Sequence, residues 1–252
     1  PAFSNANDML MAGFDEMTHI NQIMLGWVLE PGEDTRTLLR LTALQRLTDL
    51  DLNSAPVQKT LDLMEKNNVA MDPTLAIHEL LLLSRNGETQ LGTLDYIENM
   101  PASEQRDAKE AMASIANEDE DKAYRVAYDK IIATLKMMKD RGILILPGTD
   151  LGGAFTLHRE LELYQQIGYT PAELLKLGSY DMAQYLGQED RGALEPGMLA
   201  DFFLIPNDPT KDLKAIKKIA MVSKGGVIYF PSEIYPEFGI KPFVEKPEVK
   251  RN

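Results

Sequence analysis

His19, Asp72 and Asp150 are the residues whose type and surroundings could do chemistry. His19 closes the phrase Met17-Thr18-His19, Asp72 opens Asp72-Pro73-Thr74, and Asp150 follows Gly148-Thr149. Each lies at or just after the end of a segment that reads as a strand. Neutral imidazole and carboxylate are good ligands for a divalent ion such as zinc. A carboxylate beside such an ion can also move a proton. Plainer roles compete with these: a single histidine can be a hydrogen-bonded structural residue, and an aspartate in a glycine-rich turn can form the turn or cap a helix. Spacing alone does not decide between them.

The elements that must position these residues alternate. Ser4-Asn5 opens a short helix to Met11, and Phe14 to His19 reads as a strand. Asn21 to Val28 is apolar and fits either helix or strand. Helices are expected over 34–49 and 55–67, then a strand over Val69 to Met71 and a helix over Leu75 to Leu83. Residues 84–104 read as an irregular insertion, and a charged helix, in one piece or two, runs from Glu104 to Lys139. Ile143 to Leu146 is a continuous apolar run between Gly142 and Pro147, the pattern of a parallel strand buried on both faces. A helix follows from Thr156 to Gln166. Thr170-Pro171-Ala172-Glu173 then gives a capped helix start, and Gly187 gives its stop. The order of strand and helix, repeated, means parallel strands joined by crossover helices. From Arg191 onward, Gly and Pro punctuate short apolar runs at 202–205, 219–222 and 227–230, which reads as an antiparallel β module. The expected division is therefore 1–190 and 191–252.

In α/β barrels the working groups sit at the C-terminal ends of strands. The three strand ends carry His19, then Asp72 and Thr74, then Thr149 and Asp150. His78 lies inside an apolar helix and reads as packing or a partner contact. His158-Arg159-Glu160 reads as surface pairing, within reach of the mouth of the site. Glu118 to Asp121 reads as a solvated helix start, and Gly152-Gly153 as a plain turn rather than an anion nest.

The net charge of −13, from 39 acidic and 26 basic residues, argues against non-specific nucleic-acid binding. The absence of cysteine excludes disulfides and thiolate metal sites. No apolar run reaches the roughly 18 residues that a membrane span requires. Pro1 to Asn7 carries no secretory leader, so the compartment, cytoplasmic or periplasmic, stays open.

The stretch from Pro147 to Pro209 resembles the C-terminal end of the amidohydrolase superfamily. The resemblance rests on Gly148-Thr149-Asp150, His158-Arg159-Glu160-Leu161, Thr170-Pro171-Ala172-Glu173, Leu186-Gly187 and the phrase from Gly192 to Asp201, in that order. Met198 stands where the last phrase often has lysine. The segment from Gly13 to Leu25 resembles the sixth-strand phrase of imidazolonepropionase-like and prolidase-like members. The resemblance implies strands six to eight of a TIM-like metal-dependent hydrolase barrel and a small C-terminal β-sandwich. It implies that His19 and Asp150 bind metal, that Asp150 is the general acid and base, and that Asp72, Thr74 and Thr149 lie near substrate. The implied reaction is hydrolysis of an amide, cyclic-amide or dipeptide C–N bond. The implied cofactor is a divalent metal, zinc by default, with manganese, iron and cobalt as alternatives. The ligands expected on earlier strands have no counterpart in this sequence. The expected partners are small molecules and, through exposed strand edges, further copies of the chain. Two other readings remain: a site completed by a second polypeptide, and a non-catalytic scaffold.

Overall fold

The computed structural model describes residues 5–153 and 155–248. The chain is α/β and separates into two compact units. The first comprises 1–86 and 111–168, and the second comprises 87–110 and 169–252.

The first unit holds the strands expected to carry the site. Ser4 lies outside the described residues. Asn5 caps helix α1 (Ala6–Met11) through a reciprocal capping box with Asp8. Strand β1 (Glu16–Thr18) runs parallel to β2 (Ala70–Asp72), pairing Met17 with Met71 and Thr18 with Asp72. The ladder continues past the strand ends, where the His19 N–H donates to the Asp72 carbonyl at 2.8 Å. Between the strands the ambiguous apolar segment is helix α2 (Ile20–Val28), and α4 (Ala55–Lys66) forms as expected.

Two expectations are corrected here. The helix expected over 34–49 is a short turn, α3 (Leu39–Thr42), followed by 3₁₀ structure over Ala43–Asp49. Leu44 and Leu47 still reach the core, so burial is served without α geometry. The run Ile143 to Leu146 is not a full strand. It makes one parallel bridge, Ile145 to Met71, and while Ile145 is fully buried Leu144 is 38% exposed.

After β2 come α5 (Leu75–Leu83), α6 (Ala102–Asp107) and α7 (Glu118–Asp140). Helix α6 belongs to the second unit. Asn117 caps α7, and four acidic residues fill its first turn, where they complement the helix dipole. Asp121 does more than face solvent, since it pairs with Arg85 and Arg125. Tyr124, Tyr128, Ile131, Leu135 and Met138 form the buried stripe of α7. Helix α8 (Thr156–Leu163) follows the glycine-rich turn, and the Tyr164 hydroxyl donates to the Leu146 carbonyl at 2.7 Å.

In the second unit Thr170 and Glu173 close a capping box at the start of α9 (Pro171–Lys176). A π-turn over Leu177–Asp181 leads into α10 (Met182–Tyr185). Strands β3 (Phe202–Leu204), β4 (Met221–Lys224) and β5 (Val227–Tyr229) form an antiparallel sheet in that order. Gly225 and Gly226, with φ of 58° and 79°, make the two-residue turn between β4 and β5.

Candidate functional site

His19, Thr74 and Asp150 each follow a parallel strand or bridge, and each has positive φ (64°, 51° and 51°). Among the described residues the only other non-glycine residue with positive φ is Asn68, in the turn after α4. A left-handed threonine is unusual, because its branched side chain crowds the backbone. Strain of this kind persists only where the surroundings over-determine it, and it concentrates at functional sites.

The three residues converge. His19 Nδ1 lies 3.1 Å from the Thr74 hydroxyl and 3.8 Å from Asp150 Oδ2. The pair is open to solvent, with side-chain exposures of 37% for His19 and 54% for Asp150. That distance runs to Nδ1, so it measures the proximity of the two side chains rather than a spacing between metal donors. The Thr74 contact occupies Nδ1, which leaves Nε2 of His19 as the nitrogen available to a ligand. The donor types and their proximity fit a divalent ion, but as part of a centre. Among the described residues no group of three or more His, Asp or Glu side chains is arranged to hold one.

Asp72 and Thr149 differ in how they relate to the pair. Asp72 sits beside His19 through the strand ladder, and burial raises its carboxyl above the usual carboxylate range. Its Oδ1 is buried without a hydrogen-bond partner among the described residues. The Thr149 hydroxyl is spent within its own turn, bridging the Leu151 carbonyl and N–H. Gly148 has a steric reason: a Cβ there would overlap both Asp72 carboxylate oxygens and lie 2.6 Å from Cγ. Gly148→Ala is expected to lower stability by about 1–3 kcal/mol in urea unfolding. In an Asp72→Ala background the same change should be close to neutral, and additive losses would show that Asp72 is not the obstacle.

Behind the site lies a buried polar layer that sequence reading missed. The Glu160 carboxylate accepts the N–H groups of Leu75 and Ala76, at 2.8 and 2.6 Å, in the first turn of α5. Burial nevertheless pushes Glu160 up to about 8. Arg159 forks onto Glu79 at 2.9 and 2.6 Å and reaches Glu162 at 3.1 Å. This corrects the surface-pairing reading of His158-Arg159-Glu160, since Glu79, Glu160 and Glu162 are all buried. His78 is buried too, as the packing reading expects, and its Nδ1 lies 2.8 Å from the Thr74 carbonyl. Burial lowers His78 to about 4.

Solved structures with a similar fold include a Xaa-Pro dipeptidase with methionine in its active site (TM-score 0.52, 19% identity). Others are the ochratoxinase of A. niger (0.54, 16%) and a bottromycin amidohydrolase (0.56, 17%). The similarity covers 89%, 89% and 96% of this chain but 42%, 39% and 53% of theirs. The chain therefore spans about half of their length or less. No curated protein matches the chain. The sequence profile of the amidohydrolase family matches residues 54–229, from α4 through β5. With most of its length inside that match, the chain belongs to the amidohydrolase family.

Proposed function

We propose that this chain contributes strands six to eight of a TIM-like barrel, over 1–190, and a β-sandwich module, over 191–252, to a metal-dependent hydrolase of C–N bonds. The observation that carries the reading is the convergence of His19 and Asp150 at 3.8 Å on left-handed backbone at parallel strand ends. His19 and Asp150 would hold a divalent ion, zinc by the donor chemistry of imidazole and carboxylate without sulfur. A bound ion of this kind lowers the pKa of water toward neutrality and polarises a carbonyl. Asp150 accepts the proton of the attacking water and returns it to the leaving nitrogen. Thr74 orients the His19 ring, and Asp72 and Thr149 border the substrate. The substrate class is a small amide, cyclic amide or dipeptide; the similar fold of a Xaa-Pro dipeptidase supports the last. His19 and Asp150 supply part of such a centre, since among the described residues no third His, Asp or Glu joins them.

The test is a zinc titration of the purified chain, followed by the NMR signals of its three histidines. The His19 signals are expected to shift, and Asp150→Asn to weaken binding about tenfold or more. Shifts confined to His78 and His158 would sink the reading.

A further inference from the structure

We propose that His78 is a positioning residue for His19: its Nδ1–H holds the Thr74 carbonyl, fixing the left-handed Thr74 whose hydroxyl sets the orientation of the His19 ring. The inference rests on the reading of His19 as a working residue.

A carbonyl oxygen only accepts, so the 2.8 Å contact assigns the His78 proton to Nδ1. Nε2 is then a bare acceptor. It is buried and finds no partner among the described residues. An unsatisfied buried acceptor is destabilising. Helix α5 is otherwise rich in leucine (Leu75, Leu80, Leu81, Leu82, Leu83), and a further leucine at 78 would carry no such penalty. Packing alone therefore does not account for a histidine at this position, whereas the Nδ1 donor does. Thr74 is the residue that precedes α5, at φ 51° and ψ 50°. It is held from both sides: His78 takes its carbonyl, and Glu160 takes the next two N–H groups. With the backbone pinned in this way, the Thr74 hydroxyl meets His19 Nδ1 at 3.1 Å. A continuous chain of contacts thus runs from the buried His78 to the open pair of His19 and Asp150.

The test is the ¹⁵N chemical shifts of the His19 ring at neutral pH, without metal, in the wild-type chain, His78→Asn and His78→Leu. The asparagine amide can donate from nearly the position of Nδ1, whereas leucine cannot donate. The wild type is expected to show widely separated ring-nitrogen shifts, the signature of one dominant tautomer. His78→Asn should keep them. His78→Leu should draw them together toward the averaged values of a freely exchanging imidazole, while the amide signals of α5 remain. Unchanged His19 shifts in His78→Leu would overturn the proposal. So would equal loss in His78→Asn and His78→Leu with the α5 signals intact. Because no metal is present, this result is independent of the zinc titration: an ordered His19 that binds no zinc would end the metal reading and leave the positioning role standing.

Discussion

Arg159→Met is expected to destabilise the chain by about 3–5 kcal/mol, because it leaves two buried carboxylates without their cation. Arg159 pairs with both Glu79 on α5 and Glu162 on α8, and both glutamates are buried. Its fork onto Glu79 satisfies both carboxylate oxygens. Removing the cation exposes the full desolvation penalty of the acids. Replacing all three members together, Glu79→Leu with Arg159→Met and Glu162→Leu, removes the penalty along with the pairing. That triple variant is expected to be near wild type or better. Urea unfolding of both proteins decides the matter. Equal losses in single and triple variants would mean that shape, not charge, dominates the layer. The consequence reaches the site, since α5 follows Thr74 directly and α8 follows the turn that carries Asp150. The triad ties together the two helices that leave those strand ends.

This layer was hidden from the sequence for a physical reason. In α8 the pattern Leu157, Glu160, Glu162 suggests an apolar face that includes the leucine and a wet face that holds the acids. The structure does the reverse, with Leu157 42% exposed and Glu160 fully buried. Hydropathy assigns charge to the surface because desolvation is expensive. It cannot see that the first turn of α5, more than eighty positions away in the chain, supplies the donors for Glu160, or that Arg159 turns inward to pair with Glu162 and the distant Glu79. The strand ends were legible because they need only local signals: a strand-length segment, then a polar residue in a turn or at a break in the pattern. Those signals led to His19, Asp72, Thr74 and Asp150 before any contact was known. They could not disclose the left-handed backbone at three of them, since neither histidine, threonine nor aspartate announces positive φ as glycine does. The run Ile143 to Leu146 misled in the opposite direction. Its composition is that of a strand covered on both faces, and here it makes a single bridge and leaves Leu144 38% exposed.

The stability of the chain is expected to be nearly level from about pH 4.5 to 6.5 and then to fall by roughly 2 kcal/mol between about 6.5 and 8, at 1.4 kcal/mol per pH unit for one group. Two buried groups with opposite slopes produce this shape. Glu160 is raised from 4.5 to about 8, so between those values the folded chain holds a proton that the unfolded chain has lost. Stability from this group is full below 4.5 and is lost as the pH rises toward 8. His78 is lowered from 6.5 to about 4, so the unfolded chain takes up a proton that the folded chain refuses. Stability from this group is full above 6.5 and is lost as the pH falls toward 4. The slopes oppose each other where the windows overlap, and Glu160 acts alone above 6.5. Subtracting the profile of Glu160→Gln from that of the wild type cancels the other groups. The difference should decline steadily from pH 4.5 to 8. Glu160→Gln also sets an amide N–H against one of the two backbone donors at Leu75 and Ala76, which should lower stability by about 1–3 kcal/mol at low pH. A difference independent of pH across this window would mean that the two N–H donors outweigh burial and keep Glu160 ionised. The buried layer would then carry a fixed negative charge behind His19 and Asp150, and its field would favour a cation at the open pair.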